Sequence, residues 1–266
     1  MFNRQPALIG MIHIGALPGT PRSADSIAAL AERAAGEARL YADAGFDAVM
    51  IENMHDAPYL NGAVGPEIVA GITAVGLAVR AACSMPLGVQ VLAGANCEAV
   101  AVAHACGAEF VRVENFVFAH VADEGLMPTA SAGPLLRYRR QIGADRVRVL
   151  ADIRKKHASH TITSDLSITE LAEGAMFSGA DGVIITGSAT GRPAAVEDVA
   201  AARKAIPGIV CVGSGVTPDT LPELWPHVDA LIVGSFVKRD GFWSNEPDPK
   251  RLQALVEAAS RLRRAK

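Results

Sequence analysis

Eight short runs rich in Val and Ile recur along the chain, each followed by a stretch of helical pattern. They fall at 7–14, 48–52, 87–92, 110–114, 148–153, 182–187, 209–214 and 230–235. Runs that stay apolar at successive positions suit parallel strands covered on both faces, whereas a half-exposed strand alternates apolar and polar residues. The clearest helix runs from Asp25 to Ala44, where Ile27, Leu30, Ala31, Ala34, Ala38 and Tyr41 recur at three- and four-residue steps. Others are expected near 66–82, 96–106, 131–142, 169–178, 196–205, 217–224 and 250–263. Eight strand–helix units in succession predict an α/β fold, a (β/α)8 TIM barrel. No Pro- or Ser-rich linker divides residues 1–266, so a single domain is expected.

An internal repeat agrees with this. Gly45-Phe-Asp47 before the second run recurs as Gly107-Ala-Glu109 before the fourth and Gly179-Ala-Asp181 before the sixth. His227-Val-Asp229 before the eighth is a weaker copy. The glycine suits the left-handed position that ends a helix, and the acid opens the next strand. Repetition at every second unit predicts a barrel built in quarters. The four acids then belong to the N-terminal rim, with structural roles. A doubly wound open sheet lacks support, because no G-x-G-x-x-G follows the first run.

Composition excludes several other classes. Half of the residues are hydrophobic and the formal net charge is −3, so the chain can bury a core and carries no polycationic footprint for nucleic acid. Mean hydropathy is high, +0.24. No apolar run approaches the roughly 20 residues of a spanning helix, so no integral membrane contact is expected. His13 interrupts the apolar N-terminal stretch, and no clean cleavage pattern follows it, which argues against a signal peptide. Cys83, Cys97, Cys106 and Cys211 show no CxxC spacing and read as reduced, buried thiols of a cytoplasmic protein.

In such a barrel the chemistry lies at the C-terminal ends of the strands. Those ends carry His13, Glu52-Asn53, Gln90, Arg112 with Glu114, Asp152, Thr186-Gly187, Gly213-Ser214-Gly215 and Gly234-Ser235. The glycine loops after the last two strands resemble a phosphate cradle, because glycine lets backbone N–H groups approach an anion closely. Lys238 is the expected source of charge beside them. A third glycine-rich segment, 186–193, follows the sixth strand. Long loops at 115–130 and 154–168 add His120, Asp123, Glu124, Lys156, His157 and His160. His157 and His160 are not on an expected helix and make no convincing zinc pair.

The expected catalytic groups are Glu52, Glu114, Asp152, Lys156, His157 and His13, acting in general acid–base chemistry. Asn53, Gln90, Arg112, Thr186, Gly187, Gly213, Ser214, Gly215, Gly234, Ser235 and Lys238 are the expected phosphate- and substrate-binding groups. No cofactor is required by this reading. Glu52, Glu114 and Asp152 leave one open, because three carboxylates suit a hard, magnesium-like divalent cation. The sixth strand has no lysine for a Schiff base, and no cysteine stands at a strand end.

The sequence resembles the BtpA/SgcQ family. The matching stretches include Gly10-Met-Ile-His13 with Leu17-Pro-Gly19, Glu52-Asn53 with Asp56-Ala-Pro58, Phe110-Val-Arg112, and Ala151-Asp152 with Lys156-His157-Ala158. Thr186 to Gly191, Val212 to Thr217 and Val233 to Gly241 complete them. The resemblance implies a TIM barrel of the phosphate-binding kind. One branch of that family is linked to photosystem I assembly or stability, another to sugar-utilisation genes, and the 115–125 loop looks closer to the latter.

Two functional readings follow. The first is a cytoplasmic, homo-oligomeric enzyme acting on a small phosphorylated sugar or nucleoside derivative as a lyase, isomerase or hydrolase. The second is a non-catalytic assembly factor for a membrane complex, for which the basic tail Arg261 to Lys266 is the only candidate contact.

Overall fold

The computed structural model describes Phe2, residues 6–187 and residues 189–264. Ser188 of the glycine-rich segment, Ala265 and Lys266 of the basic tail, and Met1 and residues 3–5 lie outside the described residues.

The barrel strands are β1 (Ala7–His13), β2 (Ala48–Glu52), β3 (Leu87–Gln90), β4 (Phe110–Val113), β5 (Arg148–Asp152), β6 (Gly182–Ile185), β7 (Ile209–Val212) and β8 (Ala230–Val233). Each pairs in parallel with its neighbours in chain order, and β8 closes onto β1 with Ala7 beside Ala230. The helices are α1 (Ile27–Ala44), α2 (Pro66–Ala82), α3 (Asn96–Cys106), α4 (Ala132–Gln141), α5 (Ile168–Phe177), α6 (Val196–Ala205), α7 (Leu221–Leu224) and α8 (Pro249–Arg264). The fold is the expected TIM barrel. No helix among the described residues is long and apolar enough to cross a membrane.

Alternate strand residues enter two separate cores, which explains the unbroken apolar runs. Ile9, Met11, Met50, Phe110, Leu150, Ile184, Cys211 and Ile232 fill the barrel interior. Leu8, Ile12, Val49, Ile51, Val89, Val149, Val183 and Leu231 face the surrounding helices. Each large side chain so buried contributes roughly 1.5–3 kcal/mol.

The repeat has a physical counterpart at the N-terminal rim. The carboxylate of Asp47 accepts from Leu8 N–H, Glu109 from Leu87, Asp181 from Val149 and Asp229 from Val210, at 2.7–2.9 Å. Each acid thus ties the loop before an even strand to the odd strand preceding it. Each also takes an arginine from an even helix: Arg263 of α8, Arg80 of α2, Arg139 of α4 and Arg203 of α6 respectively. Gly45, Gly107 and Gly179 take positive φ values of 92°, 76° and 90° at the helix ends.

Three expectations are corrected. Seven of the eight strands end one or two residues before the expected C-terminal ends, where the backbone leaves the ladder to form the barrel mouth. The helix expected over 217–224 shortens to Leu221–Leu224. There Thr217 N–H donates to Thr220 Oγ1 (2.9 Å) in a local turn, and Pro222 fits only the first helical turn. Finally, the segments expected as long loops carry strands and pair with one another. Residues His120–Ala122, Gly125–Met127 and Ala158–Ser159 form a three-stranded antiparallel sheet over the mouth. Its strands are too short to show a period, and one edge comes from the other loop.

Candidate functional site

The inward-facing alternation that builds the apolar interior continues upward into polar residues. His13 follows Ile9 and Met11, Glu52 follows Met50, Arg112 and Glu114 follow Phe110, and Asp152 follows Leu150. Gly213 and Gly234 occupy the same register after Cys211 and Ile232. One periodicity therefore delivers both the core and the candidate site.

Arg112 forms a buried two-pronged pair with Asp152, from Nε to Oδ2 at 2.9 Å and from Nη2 to Oδ1 at 3.2 Å. Burial by itself lowers the guanidinium pKa. Asp152 and Glu52 more than reverse this, so Arg112 stays charged. Glu114 lies beside it. Its Oε1 accepts from Gln90 Nε2 at 3.3 Å, and its Oε2 lies 3.7 Å from Lys155 Nζ. Burial pushes the Glu114 carboxyl up to about 7; Lys155 opposes that shift and Asp152 adds to it. Lys155 is in turn held by Glu124 at 2.8 Å. Burial opposes its charge, but Glu114 and Glu124 raise its pKa overall. Lys155, the neighbour of the expected Lys156, is thus a further charged residue of the site.

His13 is oriented by the chain beyond β8. Its Nδ1 donates to the Trp243 carbonyl at 2.8 Å, which leaves Nε2 as an acceptor 3.8 Å from Glu52 Oε2. Burial, assisted by Lys238, holds its pKa well below the ordinary value, so the imidazole is neutral. The Trp243 indole packs between His13 and His55, with ring centroids 5.8 and 4.8 Å away.

Two adjoining cavities open here. The first, about 230 Å³, is walled by Gly213, Ser214, Gly215, Gly234, Ser235 and Arg251, with His13, Glu52, Arg112 and Lys156 facing them. The second, about 300 Å³, is lined by Tyr59, Leu92, Glu114, Lys155, His157 and Trp243. Glu52, Met54, Lys156 and Thr190 border both. In the first cavity, Gly215 and Val216 N–H groups have no protein acceptor among the described residues. Ser235 and Phe236 head a short helical turn (235–237), whose own ladder cannot use its first N–H groups.

Several expected site residues do other work. Ser214 Oγ accepts from Gly187 N–H (2.7 Å) and donates to the Arg192 carbonyl (2.8 Å), tying the β6 loop to the β7 loop. That packing accounts for Gly187, where a Cβ would fall 2.4 Å from the Arg192 carbonyl oxygen. It also accounts for Gly215, where a Cβ would lie 2.2 Å from Pro193 Cα. Thr186 donates to the Arg154 carbonyl at 3.1 Å. Asn53 joins Leu92 N–H to Asp56, both at 2.8 Å, and borders neither cavity. Lys238 is turned away from the first cavity and donates to Glu37 at 2.6 Å. Arg251 of α8 lines that cavity together with Arg112 and Lys156, and is anchored by Nη1 to the Phe236 carbonyl at 3.0 Å. Its distance along the sequence from the glycine loops hid it.

His157 is exposed. Its Nε2 accepts from Thr190 N–H at 3.2 Å and lies 2.9 Å from Thr190 Oγ1, so it bridges two loops across the mouth. His120 packs against His160 at 5.5 Å, and burial pushes its pKa down to about 4. Glu52, Glu114 and Asp152 do not assemble as one ligand set, because Arg112 occupies both oxygens of Asp152 and Glu114 faces Lys155. Among the described residues, no group of three or more His, Cys, Asp or Glu is placed to hold a metal ion.

A model of the BtpA family matches residues 4–261. An uncharacterized mitochondrial protein of Caenorhabditis elegans is 41% identical over 265 residues, covering 98% of this chain and 95% of its own. The photosystem I biogenesis protein BtpA of Synechocystis is 35% identical over 260 residues, covering 97% and 89%. Among solved structures, a geranylgeranylglyceryl phosphate synthase from Thermoplasma acidophilum aligns with TM-score 0.61 at 13% identity, covering 96% of this chain and 93% of that one. A phosphoribosylanthranilate isomerase from Pyrococcus furiosus aligns with TM-score 0.57 at 14% identity, covering 96% and 99%. At these identities the structures share the barrel fold.

Proposed function

The chain belongs to the BtpA family, and from that premise we propose that it is an enzyme acting on a small phosphorylated metabolite by acid–base chemistry. One observation carries the reading. The 230 Å³ cavity joins the two glycine loops and Arg251 on one side to His13, Glu52 and Arg112 on the other. Unpaired N–H groups and a guanidinium suit a phosphate, while a neutral imidazole beside a carboxylate suits proton transfer. The structural neighbours named for phosphate-bearing compounds, the two above and a thiamine phosphate pyrophosphorylase, support the same substrate class.

In this reading the glycine loops and Arg251 hold the phosphate, and Glu52 with His13 moves a proton on the attached group. Glu114 serves as the acid of the second cavity, because a carboxyl with a pKa of about 7 is partly protonated at neutral pH. A lyase, isomerase or hydrolase acting on a sugar or nucleoside phosphate fits this division, in a cytoplasmic and homo-oligomeric protein. The carboxylates do not fit a three-ligand metal site, so no step is routed through one.

Isothermal calorimetry with inorganic phosphate and ribose 5-phosphate tests the phosphate grip. We expect binding by the wild type and at least tenfold weaker binding by Gly234→Val and Arg251→Gln. Wild-type protein that binds neither compound would overturn the reading.

The Synechocystis relative's name favours a second reading, a non-catalytic assembly factor for a membrane complex. Its sequence support is thin, since Arg263 of the basic tail is engaged with Asp47 and the Pro6 carbonyl. Co-sedimentation with anionic vesicles, lost on deleting residues 261–266, would favour it over the enzyme.

A further inference from the structure

The lysines among the described residues divide sharply by environment. Lys155 is held by Glu124, and Lys238 by Glu37. Lys204 and Lys250 are exposed on helices. Lys156 differs from all four. It is half-buried, borders both cavities, and its amine makes no hydrogen bond and no ion pair within 4.0 Å among the described residues. Burial, together with Arg112, lowers its pKa; Glu52 and Asp152 only partly offset this. An amine that is desolvated, unpaired and open to a cavity is a nucleophile rather than a structural cation.

The surroundings specify what such an amine would attack. Lys156 stands where the phosphate-type cavity meets the second cavity, with Glu52 on the border and Glu114 in the second cavity. A substrate gripped by a phosphate in the first cavity presents its neighbouring carbons at that border. We infer that Lys156 is a covalent catalytic residue that forms an imine with the carbonyl group of a phosphorylated aldehyde or ketone. The substrate class rests on the phosphate reading above.

The Nζ lone pair adds to the carbonyl carbon, so a C–N bond forms and the C=O π bond opens to a carbinolamine. A proton passes from nitrogen to oxygen. Glu114, in its protonated form, then donates a proton to the carbinolamine hydroxyl, and the C–O bond breaks to release water. The product is a C=N bond to Lys156 with no change in oxidation state. The resulting iminium is an electron sink for cleavage or proton abstraction at the adjacent carbon. The sequence disfavoured a Schiff base only for the sixth strand. Lys156 follows the fifth, four residues beyond Asp152.

Borohydride trapping tests this. The full chain is incubated with glyceraldehyde 3-phosphate at pH 7.5, reduced with sodium borohydride, digested and mapped by mass spectrometry. We expect the reduced adduct at Lys156 at least fivefold above that at the exposed Lys204 and Lys250. It should be absent from this position in Lys156→Gln and weaker with glyceraldehyde, which lacks the phosphate. Adduct at Lys156 no greater than at Lys204 would overturn the inference. The same samples titrated with inorganic phosphate separate the two readings. Phosphate binding without a Lys156 adduct overturns the imine and leaves the phosphate reading standing. A Lys156 adduct that excess phosphate does not suppress supports the imine and overturns the phosphate reading.

Discussion

Arg263, near the end of the last helix, donates to the carboxylate of Asp47 in the loop before the second strand. The same carboxylate accepts the Leu8 N–H of the first strand at 2.9 Å. The pair completes a set of four acids around the N-terminal rim, each held by an arginine, and it joins the last helix to the loop before the second strand. The rim contacts thus tie loops, strands and helices together at the end opposite the candidate site.

Removing one link should cost stability without touching ligand binding. Asp47→Ala strands the Leu8 N–H and releases Arg263, an expected loss of about 1–3 kcal/mol. Urea unfolding should show it, while phosphate affinity measured by calorimetry stays within twofold. A loss of affinity with unchanged stability would contradict a structural role for this rim.

The Arg112–Asp152 pair makes the opposite case, a buried ion pair inside the site. Asp152→Ala leaves a guanidinium buried without its partner and should destabilise the protein by about 3–5 kcal/mol. Arg112→Met with Asp152→Leu removes both charges and should recover most of that loss in the same unfolding experiment.

Glu114 predicts a pH dependence. Its carboxyl rises from 4.5 to about 7 on folding, so between these values the folded state holds a proton that the unfolded state has released. Its contribution to stability is full below pH 4.5 and is lost as pH rises through 7. Glu114→Gln removes this dependence. Relative to the wild type, the variant should therefore gain stability from pH 5 to pH 8, by at most about 1.4 kcal/mol per pH unit. Paired denaturation curves at the two pH values read it directly.

The His157–Thr190 bridge predicts local rather than global loosening. His157→Ala should raise amide exchange in residues 154–163 and 189–192, with protection of the barrel strands unchanged. Exchange that rises equally in β1 to β8 would assign His157 a global structural role instead.

The sequence by itself determined the barrel. A parallel strand covered on both faces must be apolar throughout, so eight such runs reveal the architecture without any long-range information. The C-terminal ends of those runs also pointed to His13, Glu52, Arg112, Glu114 and Asp152 as mouth residues; the side-chain period of two is what turns them inward. The acid of each quarter was legible as a repeat, although its arginine partner was not.

Tertiary structure alone decided which of these groups are free. Arg112 and Asp152 satisfy each other, Ser214 is spent on Gly187 and Arg192, and Lys238 turns to Glu37, whereas Lys156 is left unpaired. Arg251 and Trp243 reach the cavities from the chain beyond the last strand. The sheet over the mouth forms only where two loops meet. Local pattern records what a residue needs from its own strand or helix. Which partner satisfies it depends on distances between segments far apart in sequence, and these exist only once the barrel has closed.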